Sequence, residues 1–154
     1  MSDYDTDILT WSEHQAELLR RRAAGELVND AELDWPNIAE EIESVGRSER
    51  SALSSRVRTI IEHLAKLEAS PASEPRIGWQ DTVLRARADI EALLEDSPSL
   101  RRKLDETVAN ELARALRLAA SALALHGEAP RVSLEEIQFN AEQVLGPWFP
   151  EDPA

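Results

Sequence analysis

Apolar residues recur at intervals of three and four along most of the chain, which is the period of a helix that is buried on one face. The clearest stripe consists of Ile38, Ile42, Val45, Leu53, Val57, Ile60, Leu64 and Leu67. Glu49 occupies the step of this stripe that lacks an apolar side chain. Because the stripe resumes in phase after Glu49, it predicts one long helix over residues 35–69 rather than two helices divided near Gly46.

Three further stripes predict the other main helices of the chain. The first covers residues 5–24, the second covers residues 78–94, and the third begins at Ser97-Pro98 and ends at His126-Gly127. Gly25 follows the first of these helices, where a glycine commonly ends a helix in a left-handed conformation. Serine followed by proline is typical of a helix start, since the serine caps the helix and the proline occupies its first turn.

A shorter helix is predicted over residues 133–145, because Ser133 and Glu136 have the spacing of a capping box. No run alternates apolar and polar side chains as a half-buried strand does. We therefore expect an all-α fold, a helical bundle of four main helices plus a short C-terminal helix. At this length the chain is expected to form a single domain over residues 1–154, with an irregular tail from about residue 146.

Composition and charge exclude several classes of partner. The chain has 154 residues, no cysteine, and 30 acidic against 17 basic side chains, which gives a formal charge of −13. Nucleic acids and anionic membrane surfaces both require a basic face, so neither is expected as a partner. No apolar run approaches the roughly 20 residues that span a bilayer, and the acidic N-terminus is unlike a signal peptide. We therefore expect a cytoplasmic location.

Seven acidic side chains and no basic one lie between Arg22 and Arg47. Such a run is either a solvated face or a docking surface for a basic partner or a cation. Trp35 lies within the run and is expected to be the most exposed tryptophan, whereas the other three tryptophans are expected in the core. The candidate interaction surface consists of Glu32, Asp34, Trp35, Glu40 and Glu43.

Glu49 is the most informative single residue, because a carboxylate at an apolar position is costly to bury unless it is paired. It is interpreted as a structural ion pair with an arginine, as a sign that the stripe is locally exposed, or as the centre of a polar site. Gln15, on the inner stripe of the first main helix, would face Glu49 in the last case. The candidate pocket consists of Gln15, Glu41, Gly46, Glu49 and His63.

The sequence contains no glycine-rich phosphate loop, no G-x-S-x-G, no H-E-x-x-H and no EF-hand loop. His14 and Glu17 have the reverse order of the Glu-x-x-His pairs in di-iron bundles. We therefore expect no metal and no cofactor. The favoured function is a non-enzymatic binding module that docks a protein partner or a second copy of itself. The alternative is a small hydrolase-like enzyme with a His and carboxylate site, with or without a metal.

Several motifs together resemble a known family. They are Tyr4-x-x-Asp7-x-x-x-Trp11-x-x-x-Gln15, Leu33-Asp34, Asn37-x-x-Glu40-Glu41-Ile42-Glu43, Gly46-Arg47-Ser48-Glu49, Arg56, His63-Leu64-x-Lys66, Trp79 and Ser97-Pro98-Ser99-Leu100. The chain is thereby similar to the bacterial family called domain of unknown function 29. The resemblance implies a small, bacterial, intracellular helical protein with no assigned activity. It implies no catalytic residues.

Overall fold

The computed structural model describes residues 2–153 and confirms the all-α fold class, with no β-strand in that range. Four helices are long and two are short. They are α1 (Asp3–Thr6), α2 (Ile8–Ala23), α3 (Trp35–Ala69), α4 (Arg76–Asp96), α5 (Leu104–Leu125) and α6 (Ala141–Leu145). Short 3₁₀ turns lie at Asp30–Glu32, Pro98–Lys103 and Leu134–Glu136.

The ends of α2 follow from its local sequence. Asp7 has φ −151° and ψ 85°, so the helical path breaks there and separates α1 from α2. The Asp7 carboxylate accepts a hydrogen bond of 3.0 Å from the Thr10 N–H, which caps α2. Gly25 follows α2 with φ 84°, the left-handed conformation expected of a glycine after a helix.

Helix α3 runs without interruption for 35 residues, as the phase of its apolar stripe predicts. It passes through Gly46 and through the boundary between two compact units of the chain. Unit 1 extends to Ser48 and unit 2 starts at Glu49. The single domain expected from chain length stays a prediction.

Unit 2 holds most of the hydrophobic core. In α3, every buried residue lies at Leu53 or beyond. The core of unit 2 also includes Val83, Ile90, Val108, Leu116, Leu123, Leu134, Phe139 and Val144. Trp79 and Trp148 are half-buried and pack against it, as expected for core tryptophans.

The apolar stripe of α3 is not buried along its whole length, contrary to the sequence-based expectation. Ile42 is 68% exposed and Val45 is 66% exposed, and Glu49 at the next step is half-buried. A helical period shows which side chains share a face, but it does not show whether another element covers that face. Glu49 therefore marks a change from an exposed to a buried portion of the stripe rather than an isolated carboxylate in a core.

Two predicted serine caps are wrong, although a 3₁₀ turn does begin at Pro98 and leads directly into α5. The Ser97 hydroxyl donates to the Glu49 carboxylate at 3.1 Å instead of capping the following turn. In the described range, Ser133 makes no side-chain capping bond, and only a single 3₁₀ turn follows it. The capping box of the last helix is formed by Asn140 and Gln143, at the start of α6.

The C-terminal segment is fastened to α4 by a buried arginine. Arg87 donates to the backbone carbonyls of Val144, Gln143 and Trp148 at 2.7–2.9 Å. Its guanidinium also lies 4.8 Å from the centre of the Phe149 ring. This packing explains how the tail after α6 is held in place. Among the described helices, none is both long enough and apolar enough to cross a membrane.

Candidate functional site

The interior of unit 1 is organised by hydrogen bonds around the start of α3. The Tyr4 hydroxyl donates to Glu41 Oε1 at 2.7 Å, and the Tyr4 ring packs edge-on against Trp11 with centroids 4.9 Å apart. The Trp11 indole N–H in turn donates to Asp34 Oδ2 at 3.0 Å. Asn37 donates to the same oxygen at 2.8 Å. These contacts tie α1 and α2 to the first turns of α3.

Gln15 is buried, and both ends of its amide bind the backbone just before α3. Its Nε2 donates to the Glu32 carbonyl at 3.1 Å, while its Oε1 accepts from the Asp34 N–H at 2.9 Å. The turn over Glu32–Asp34 is thus held by one side chain that supplies both a donor and an acceptor. Sequence periodicity placed Gln15 on an inner face but gave no sign of this partner, which lies 17–19 residues away.

Two ionisable groups of this network have shifted pKa values. The hydrogen bond to the Glu41 carboxylate raises the pKa of Tyr4 to about 12, because it stabilises the neutral phenol and the negative charge opposes ionisation. The hydrogen bond from Asn37 is the main cause that lowers the pKa of Asp34, and the Trp11 indole contributes in the same direction. Asp34 is therefore charged at neutral pH, with its carboxylate engaged by its neighbours.

Four of the five side chains assigned to the candidate interaction surface are exposed, and their role in binding stays a prediction. Trp35 is 45% exposed, as expected of the tryptophan in the acidic run, and the Arg22 guanidinium lies 5.8 Å from its ring centre. Glu32, Glu40 and Glu43 are exposed. Asp34 instead belongs to the network just described. The surface is extended by Ile42 and Val45, which sequence analysis assigned to the core.

Several acidic side chains between Arg22 and Arg47 form ion pairs with the arginines that flank this run. Arg47 lies 2.6 Å from Glu40 and 3.8 Å from Glu43, and Arg21 and Arg22 pair with Glu26 and Asp30 respectively. These pairs are exposed, and such pairs contribute little to stability and exchange readily with other partners. In the folded chain the flanking arginines therefore pair with some of these acidic side chains, and the run keeps a net negative charge.

The residues of the candidate pocket are divided between the units. Gln15, Glu41 and Gly46 belong to unit 1, whereas Glu49 and His63 belong to unit 2. Glu49 and His63 are 14 residues apart on α3, which corresponds to about 21 Å along the helix axis. The pocket stays a prediction.

His63 is held by the backbone of its own helix. Its Nδ1 lies 2.8 Å from the Thr59 carbonyl, which can only accept, so Nδ1 carries a proton, and in the neutral imidazole the lone pair is on Nε2. Burial is the main cause that lowers the pKa of His63. Within residues 2–153, no three His, Asp or Glu side chains come together as a metal-binding group.

A cavity of about 390 Å³ in unit 2 was not expected from the sequence. It lies between α5 and the segment after Ser133, and Leu112, Leu116 and Leu134 form much of its wall. Arg117, Glu135 and Gln138 supply its polar groups. The alanines at 109, 113 and 120 leave the space open, and the alanine-rich composition of α5 is the signal that could have revealed it.

The chain matches one family over almost its whole length. The matching model carries the description "Domain of unknown function DUF29" and covers residues 4–149. No curated protein and no solved structure matches the chain. The match includes both the network around Asp34 and the exposed residues of α3. The chain therefore belongs to the family of domain of unknown function DUF29.

Proposed function

We propose that the protein is a non-enzymatic interaction module that docks a basic protein segment on unit 1. The observation that carries the proposal is the exposed apolar stripe on α3, where Trp35, Ile42 and Val45 stand beside Glu40 and Glu43. Exposed apolar side chains grouped on one helix face and bordered by charge are typical of protein interaction sites. Apolar contact supplies affinity there, and the carboxylates supply selectivity for a partner of opposite charge.

Charge favours a different protein over a second copy as the partner at this surface. Residues 1–48 contain 12 acidic and 4 basic side chains, a net charge of −8. Two such surfaces would repel each other when brought together, whereas an amphipathic segment with lysines and arginines would be attracted. Self-association through this surface is therefore the less favoured form of the proposal.

The proposal is tested by placing a photo-crosslinking residue at Ile42 and, as a matched control, at Leu84. Leu84 is an exposed leucine of similar character on α4 in unit 2. A partner crosslinked at position 42 is then purified, and its affinity is measured for the parent, for Ile42→Ser, for Glu40→Lys with Glu43→Lys, and for Leu84→Ser.

We expect the unit 1 variants to bind about tenfold more weakly, which corresponds to about 1.4 kcal/mol, and the affinity to fall as salt increases. Leu84→Ser should bind as the parent does. Equal loss for Leu84→Ser, or crosslinking at position 84 alone, would contradict the proposal. Light scattering of the parent alone shows whether the partner is a second copy.

A hydrolase-like function is the second candidate, and one observation favours it. Burial lowers the pKa of His63 and Nδ1 donates to the Thr59 carbonyl, so the neutral imidazole has its lone pair on Nε2, as a general base or metal ligand requires. Elemental analysis of protein purified without chelator tests this candidate. Stoichiometric zinc, manganese or iron that His63→Gln removes would favour the enzyme over the interaction module.

A further inference from the structure

Arg76 is a buried cation that the chain satisfies only in part. The residue is 6% exposed, and its Nε donates to Asp152 Oδ1 at 2.9 Å. Its Nη1 and Nη2 are buried and meet no hydrogen-bond acceptor among residues 2–153. A guanidinium carries five N–H groups and stays charged in proteins, so four of these donors lie in the interior without an acceptor among the described residues.

Arg87 shows what a purely structural arginine looks like in the same helix. Three backbone carbonyls and the Phe149 ring surround its guanidinium, and only its Nη1 is buried without an acceptor among residues 2–153. Within residues 2–153, the Arg76 guanidinium has one acceptor, on Asp152, whose side chain is 75% exposed. Burying an arginine with so few acceptors is costly unless a further acceptor can be bound.

The position of Arg76 also favours a negative ligand. Arg76 is the first residue of α4, a helix of 21 residues, and Pro75 before it supplies no capping side chain. The first turn of α4 contains no acidic residue. The positive end of the helix dipole and the free guanidinium donors therefore lie in the same region, and both stabilise an oxyanion.

We propose that Arg76 forms the base of a binding site for a small oxyanion, a phosphate or a carboxylate, at the start of α4. The oxyanion accepts hydrogen bonds from Nη1 and Nη2, as is common for arginine with these groups. Asp152 holds Nε from the C-terminal tail at 2.9 Å. Because its carboxylate is a neighbouring negative charge, it weakens the binding of the oxyanion.

Calorimetric titration at constant ionic strength tests the site, with inorganic phosphate in one arm and acetate in the other. We expect one site per chain in the parent, loss of binding in Arg76→Gln, and several-fold tighter binding in Asp152→Asn. The arm that saturates identifies the oxyanion. Glu74→Gln removes another nearby acidic side chain, and Arg85→Gln removes an exposed arginine of α4; both should bind as the parent does.

Asp152→Asn keeps the test decisive if Arg76→Gln does not fold, because it changes only an exposed side chain. The site is ruled out if neither anion binds the parent or Asp152→Asn. It is also ruled out if Arg76→Gln folds and binds as the parent does. If Arg85→Gln lowers affinity as much as Arg76→Gln, or Glu74→Gln raises it as much as Asp152→Asn, binding reflects general charge and the assignment fails.

Discussion

Tyr4 shows at the residue scale how one hydrogen bond changes the chemistry of a side chain. We expect its phenol to titrate with a pKa near 12, because Glu41 accepts its proton in a hydrogen bond and opposes the phenolate charge. Tyr4 is the single tyrosine of the chain, so the ultraviolet absorbance of its phenolate reports it alone. Glu41→Gln should move the pKa towards the ordinary value of about 10.

The raised pKa of Tyr4 determines how the stability of the fold changes with pH. Because the pKa of Tyr4 is higher in the folded protein, its contribution to stability is complete below about pH 10 and is lost as the pH rises to about 12. Glu43→Gln removes an exposed carboxylate that does not contact Tyr4 and serves as the control. A midpoint that is equal in the parent and in Glu41→Gln would contradict the hydrogen bond.

Glu49 provides a second prediction at this scale. The bond from Ser97 to a half-buried Glu49 implies a modest contribution, so Ser97→Ala and Glu49→Gln should each lower the free energy of unfolding by about 0.5–1.5 kcal/mol. The double variant should lose less than the sum of the two, which a double-mutant cycle by chemical denaturation measures. A loss of about 3–5 kcal/mol in Glu49→Ala would instead indicate the buried ion pair considered from sequence.

The sequence predicts the exposure of some single residues correctly but not their hydrogen-bond partners. Trp35 could be predicted as exposed and Gln15 as inward-facing, because both follow from helical phase and local charge. The partners of Gln15 could not be predicted, because they are backbone groups of a turn whose position depends on the packing of α2 against α3. The exposure of Ile42 was missed for a related reason, since periodicity does not show what covers a face.

At the scale of elements, the C-terminal region offers a matched pair of caps. Asn140→Ala should lower the free energy of unfolding by about 0.5–2 kcal/mol, because Asn140 caps α6 through the Gln143 N–H. Ser133→Ala should stay within about 0.5 kcal/mol of the parent, since its side chain caps nothing in the described structure. Thermal melts of both variants check this, and the reverse order would restore the sequence-based helix start at Ser133.

The physical reason for the misplaced helix start lies in the residues after it. Ile137 and Phe139 are buried, whereas Gln138 and Asn140 are exposed. This alternation is the pattern of an extended segment, which buries both apolar side chains on the core. Tertiary burial therefore outweighed the local capping signal, and the start of the helix moved to Asn140. The long helices were predictable because their stripes extend over many turns.

A second pair of variants compares positions in the middle of α3 and α5. Both Leu64 and Leu112 lie mid-stripe, so sequence alone predicts similar losses for truncation. Leu64 is fully buried, and Leu64→Ala should cost about 2–5 kcal/mol. Leu112 is half-buried on the wall of the 390 Å³ cavity, so Leu112→Ala should cost only about 1–2 kcal/mol. Equal costs in denaturant unfolding would contradict this difference.

At the scale of the whole molecule, the two units differ in how much they bury. Unit 1 buries the hydrophobic residues Trp11, Leu18 and Leu33, whereas unit 2 buries 22. Amides of α3 before Ser48 should therefore exchange with deuterium at a lower free energy of opening than amides after Val57. Mass spectrometry of peptides from the two halves of this one helix provides the comparison within a single sample. Uniform protection along α3 would contradict the expected step.

The network around Asp34 has a consequence for how members of the family are compared. Much of the resemblance is carried by residues whose polar atoms bind one another or the backbone: Tyr4, Trp11, Gln15, Asp34, Asn37 and Glu41. A search that detects these residues therefore selects chains that build the same N-terminal scaffold. The exposed side chains at 35 and 45 lie outside these motifs and can differ without disturbing the scaffold, so two relatives can share every signature residue and still recognise different molecules.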